Sequence, residues 1–106
     1  MTTLQATDPA ISTISAINHS LYWIRESTRI DLNEQDRAKC MAQATAQAER
    51  ASIGPFVSGD SLASNFRGWP AFLLREFAAL IRFKASTHLR DAVAVAIRVK
   101  EENGRI

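Results

Sequence analysis

The sequence predicts an all-α fold, a compact bundle of four to five helices forming a single domain over residues 1–106. Three observations predict it. Apolar residues recur at spacings of three and four along several stretches, the signature of one buried helix face. Starts and stops are marked by Asp8-Pro9, Gly54-Pro55, Ser86-Thr87 and Gly104, residues that cap helices or end them. Composition is that of an ordinary globular chain, 46% apolar and 23% charged, with only four Gly and three Pro to form long loops.

The elements follow in order. Asp8 as N-cap with Pro9 at the first helical position opens a helix. Its inward stripe is Ile11, Ile14, Ile17, Leu21 and Ile24, broadened by Tyr22 and Trp23, and it fades near Ser27 and Thr28. Asp31 and Glu34 resemble a capping box for a second helix, Leu32 to Ser52. Its apolar stripe is thin, built from Ala38, Met41, Ala44, Ala48 and Ala51, and such small residues let a neighbouring helix approach closely. Gly54 and Pro55 end it.

Residues 54–69 are the least regular, with room for a short helix around Asp60 to Phe66; Phe56, Val57, Leu62 and Phe66 are expected to fasten this stretch to the core. Trp69, placed as N-cap, and Pro70 launch the most apolar helix, Pro70 to about Lys84. Phe72, Leu73, Leu74, Phe77, Leu80, Ile81 and Phe83 cover more than half its circumference, so it is expected to be central, with Phe72, Phe77 and Phe83 in the core. Arg75 and Arg82, seven apart, share the remaining face. Ser86 or Thr87 caps a last helix, His88 to about Asn103, with Leu89, Ala92, Val93, Ala96 and Val99 inward. The β-branched run Val93–Val99 is compatible with a strand, but the caps and the Lys100-Glu101-Glu102 run favour helix.

Cys40 is the only cysteine. It excludes an intramolecular disulfide and a Cys-based zinc site, suits a reducing cytosol, and reads as a small buried hydrophobe. No basic segment followed by an apolar run opens the chain, and Trp69–Phe83 is too short and too charged to span a bilayer. The expectation is a cytoplasmic protein with no membrane partner.

Chemistry-bearing motifs are missing. His19 and His88 are the only histidines and sit apart. Neither has a second ligand at metal spacing, and there is no Gly-rich phosphate loop, nucleophile elbow or zinc motif. No enzyme, cofactor or metal is expected.

Charge is the informative feature. The net charge is +2, yet residues 1–66 carry five basic and seven acidic side chains, whereas residues 67–106 carry eight basic and four acidic. A basic half points to an anionic partner. Arg67, Arg75, Arg82, Arg90 and Arg98, with Trp69 nearby, are the candidate binding residues. Arginine suits bidentate phosphate contacts and stacking, and aromatic rings stack unpaired bases. The competing reading is that these charges solvate two amphipathic helices. The last two helices are joined by a short turn, but a DNA-reading second helix needs polar residues clustered at its start. Only His88 and Arg90 meet that description. Because a chain of this size builds a modest core, a homodimer is a natural way to bury the apolar remainder.

Through the segments SLYWIRESTRIDLNEQDRAKCM and NFRGWPAFLLREFAALIRFK, the chain resembles phage-type anti-CRISPR proteins, and among them the small inhibitors of type I-E systems. That resemblance implies a stoichiometric, non-enzymatic inhibitor of the Cascade effector complex or its nuclease partner. It carries over no functional residue, because the group shares no catalytic motif. Many such inhibitors mimic DNA with acidic surfaces. A net basic chain argues against mimicry and for contact with DNA, such as an exposed single strand in the effector complex. A small DNA-binding regulator or antitoxin, and a protein–protein adaptor using Tyr22, Trp23 and apolar surface, are the alternatives.

Overall fold

A computed structural model describes residues 9–104, with side-chain surroundings from Ser12 onward. Asp8, Arg105 and the side chain of Ile11 lie outside these described residues. Within them the chain forms α1 (Pro9–Ser27), α2 (Glu34–Ile53), α3 (Gly59–Phe66), α4 (Ala71–Ile81) and α5 (Thr87–Asn103), with no strand. Val93–Val99 is therefore helical, as its caps require. Ser86 Oγ accepts from Leu89 N and Gly104 closes the C-terminus.

Helices α1 and α2 pack as an antiparallel hairpin. Ile17, Leu21 and Ile24 of α1 are buried against Ala44, Ala48 and Ala51 of α2. The small side chains on α2 bring the backbones close enough for Ser20 Oγ, fully buried, to donate to Ala44 O at 2.8 Å. The far end is closed equally tightly. Thr13 Oγ1 donates to Pro55 O at 2.9 Å, and a Cβ at Gly54 would lie 2.5 Å from Thr13 Oγ1.

The turn between these helices differs from expectation. Asn33, not Asp31, is the N-cap of α2, its Oδ1 accepting from Asp36 N at 2.8 Å. Asp31 is drawn off by Arg29, whose Nε and Nη2 donate to the two carboxylate oxygens at 3.1 and 2.8 Å. That hydrogen-bonded pairing holds the Asp31 carboxyl below its ordinary range and raises the Arg29 guanidinium. Arg37 completes the turn by donating to the carbonyls of Ser27, Arg29 and Leu32. The buried stripe of α2 begins only at Ala44, with Ala38 exposed and Cys40 and Met41 half-buried.

Helix α4 touches α1, α2 and α5. Leu73, Leu74, Phe77 and Ile81 are all fully buried, and the Phe77 ring sits 6.4 Å from that of Phe66 at 50°. Pro70 is the N-cap, its carbonyl accepting from Leu73 N and Leu74 N. The helix is shorter than its apolar run. It ends at Ile81, whose carbonyl accepts from both Lys84 N and Ala85 N as the chain turns away. Phe83 thus falls in a turn and is 88% exposed, and Phe72, outside the buried arc, is 51% exposed. Both were expected in the core.

Helix α5 runs antiparallel to α4, as the Arg75–Glu101 ion pair near one end and the Arg90–Arg82 contact near the other require. Short α3 lies along the opposite flank of α5 and shares its direction, with Gly59 beside His88 and Lys100 Nζ donating to Arg67 O at 2.9 Å. Val57, Leu62 and Phe66 do fasten residues 54–69 to the core. Phe56 does not. It is mostly exposed and stacks instead on His88, centroids 4.6 Å apart. Val99 is also half exposed, at the edge of the open groove between α3 and α5. No helix among the described residues is long and apolar enough to cross a membrane.

Candidate functional site

The six residues singled out by charge and stacking chemistry fall in three places. Arg75, on α4, and Arg82, its C-cap residue, lie along the seam with α5, where Arg90 meets Arg82. Arg75 Nη2 pairs with Glu101 Oε2 at 2.6 Å, with both side chains about half exposed. Arg90 Nη1 donates to Arg82 O at 3.4 Å and Nη2 to Thr87 Oγ1 at 3.3 Å, which ties the start of α5 to the end of α4. Arg98 lies two turns beyond Arg90, turned about 80° around the axis towards solvent, and is exposed.

Arg67 and Trp69 are elsewhere. Arg67 is the C-cap residue of α3 and lines a groove on the other flank of α5. Trp69 is half-buried against α1. Its Nε1 donates to Asn18 Oδ1 at 3.1 Å, while Asn18 and Asn65 exchange amide hydrogen bonds at 3.0 and 2.8 Å. The Arg25 guanidinium covers the ring, 5.4 Å from its centroid and 5.6 Å from that of Tyr22. A position argued for binding is thus held first by packing. Replacing Asn18 with Ala should strand the Trp69 N–H and the Asn65 amide, costing about 1–2 kcal/mol. A thermal melt of the variant reads this directly.

The residue missed from sequence is Phe83. Its exposed ring lies 5.1 Å from the Arg82 guanidinium carbon, an aromatic–cation couple at the α4–α5 corner. Lys84 beside it pairs with Glu49 of α2 at 3.1 Å. The corner therefore presents Arg82 and Arg90 beside one solvent-facing aromatic ring, with Arg75 two turns back along α4 and paired to Glu101. Chemically, that set can bind a phosphate backbone and offer a flat face to one unpaired base. The sequence signal was present, as Phe83 stands between Arg82 and Lys84, but apolar periodicity assigned the ring to the core.

Among the described residues no group of three or more His, Cys, Asp and Glu is placed to hold a metal ion. His88 is engaged structurally. Its Nε2 lies 2.7 Å from Val57 O, which requires that nitrogen to carry a proton.

Comparison with known proteins returns no match. No family model, no curated protein and no solved structure aligns significantly with the chain.

Proposed function

We propose that this chain is a non-enzymatic binding protein whose α4–α5 corner grips nucleic acid, preferentially single-stranded. The observation that carries the reading is the 88% exposed Phe83 with Arg82 stacked 5.1 Å from its ring centroid and Arg90 tied beside it. A large aromatic ring left in solvent costs hydrophobic free energy, so its exposure next to two arginines favours a use in contact. Stacking on unpaired bases is such a use, and it tolerates any sequence because every base has a π-face. Duplex readout by α5 is less well supported, since its first turn offers only His88 and Arg90, and the His88 ring is already bonded to Val57 O.

The biological form of this reading is an anti-CRISPR inhibitor of a type I-E system, engaging DNA or the DNA-loaded effector complex. It is supported by the two segments named above and by a basic second half that argues against DNA mimicry. The test is inhibition of target interference in cells carrying a type I-E system, comparing the native chain with Arg75→Glu/Arg82→Glu. The native chain should protect an invading phage, and the double reversal should lose protection while keeping its helical content. Full protection by a folded double reversal would remove this face from the account.

The adaptor reading has its own support in Tyr22, which is 40% exposed beside Arg25. Partner binding insensitive to salt would favour it.

A further inference from the structure

A second surface, independent of the α4–α5 corner, is unpartnered. Between α3 and α5 runs an open groove of about 470 Å³ floored by Ala63, Ala92 and Ala96 and edged by Val95 and Val99. Val95 and Val99, 50% and 48% exposed, stand one turn apart on this flank. Small residues on the floor leave space for another helix ridge, and the two valines form such a ridge.

Of the charges on its two helices, Arg67, Asp91 and Lys100 line the groove, and Asp60 and Arg98 stand beside it within about 20° of Arg67 and Asp91 around their helices. Each of its two helices carries an aspartate near its N-terminal end and an arginine seven residues later, Asp60 and Arg67 on α3, Asp91 and Arg98 on α5. Seven residues are two turns with about 20° of drift, so each acid shares a stripe with its arginine but lies about 10.5 Å from it along the axis. That is too far to pair within a helix. All four side chains are exposed, and among the described residues none of them makes an ion pair, whereas Arg29, Arg75 and Lys84 all do.

We propose that this groove is a homodimer interface, with two copies packed about a two-fold axis perpendicular to α3 and α5. An isologous contact needs a surface complementary to itself after reversal. An axis passing near Ala63 and Val95 supplies that reversal. It sets Asp60 against the second copy's Arg67, and Asp91 against the second copy's Arg98, each pairing occurring twice. The midpoints of the two acid–base pairs lie within about 3 Å of one level when α3 and α5 are aligned on the Gly59–His88 or the Arg67–Lys100 contact, so one axis serves both. Val95 of each copy then meets the second copy's Val95 on the axis, and Val99 of each packs over the second copy's Ala92. A parallel arrangement is excluded by the same charges, since it would place acid against acid. Arg75, Arg82 and Arg90 face the opposite flank of α5 and stay open in such a dimer.

Sedimentation equilibrium without nucleic acid, from low to high micromolar protein, tests this separately from the proposed binding function. The native chain should dimerise, and Val95→Glu should leave a folded monomer. Asp91→Arg and Arg98→Asp singly should each weaken the dimer about tenfold or more by setting like charges together. Combined, they should restore it to within about threefold, because both pairs are then reversed in concert. A native monomer throughout the range, or a double variant no better than either single one, would overturn the proposal. Circular dichroism of each variant shows whether it keeps its helices, and the rescue comparison holds even if one single variant is less stable.

Discussion

Phe83→Ala should weaken binding of single-stranded DNA roughly 5- to 150-fold, the range that corresponds to about 1–3 kcal/mol for one lost base–aromatic stack. The same change should leave the fold intact, because the ring is 88% exposed and buries little. An effect on affinity without an effect on melting is the distinctive outcome. Arg82→Ala should act on the same site in a different way. It removes both a phosphate contact and the cation beside the ring, so it should lower affinity and also flatten the salt dependence by about 0.7 in logarithmic slope. Competition binding at fixed salt, followed by a salt series on each variant, separates the two. If Phe83→Ala binds as tightly as the native chain, the ring is not a stacking platform and the corner is merely a solvated turn.

Phe77→Ala should be the most damaging single change to the fold. The side chain is fully buried at the centre of α4 and its ring lies 6.4 Å from that of Phe66, the other large aromatic of the core. Truncation removes the transfer free energy of a phenyl ring and leaves a cavity bounded by helices that collapse only partly, a loss of about 3–5 kcal/mol. For a domain near 100 residues that is on the order of 15–30 °C in melting temperature. The small, alanine-lined packing between α1 and α2 has little to spare against such a loss. Differential scanning calorimetry checks it, and a shift of only a few degrees would mean that α4 is not the central helix.

Comparing these two phenylalanines shows what sequence could and could not reveal. Both stand in one apolar run, and periodicity alone gave them the same environment. Their fates separate because α4 stops at Ile81, where both Lys84 N and Ala85 N return to one carbonyl. That stop depends on α5 folding back, a tertiary event that no local residue announces. Where termini carry their own chemistry, as at Ser86 and Gly104, the boundaries were legible to within a residue or two. At the α1–α2 turn two good caps competed, and Arg29 decided the matter by taking Asp31 and leaving Asn33 to cap α2.

The candidate site was legible as a set of residue types but not as a place. Arg82 and Arg90 meet, and Arg75 shares their seam, only because α4 and α5 are antiparallel. Arg67 and Trp69, close to them in sequence, are carried to a different groove and to α1. The groove itself had no linear signature beyond Ala92, Val95, Ala96 and Val99 at helical spacing. The structure divides that stripe between a packed edge and an open one.

Fluorescence anisotropy of the native chain with labelled single- and double-stranded DNA, across a salt series, tests the central claim most directly. With Arg75, Arg82 and Arg90 on phosphates, the logarithmic slope on single strands should be about −2, a loss of roughly 16-fold between 50 and 200 mM salt, with single strands preferred over duplex. Absence of binding to either form at low salt would contradict the account and leave a protein surface as the target.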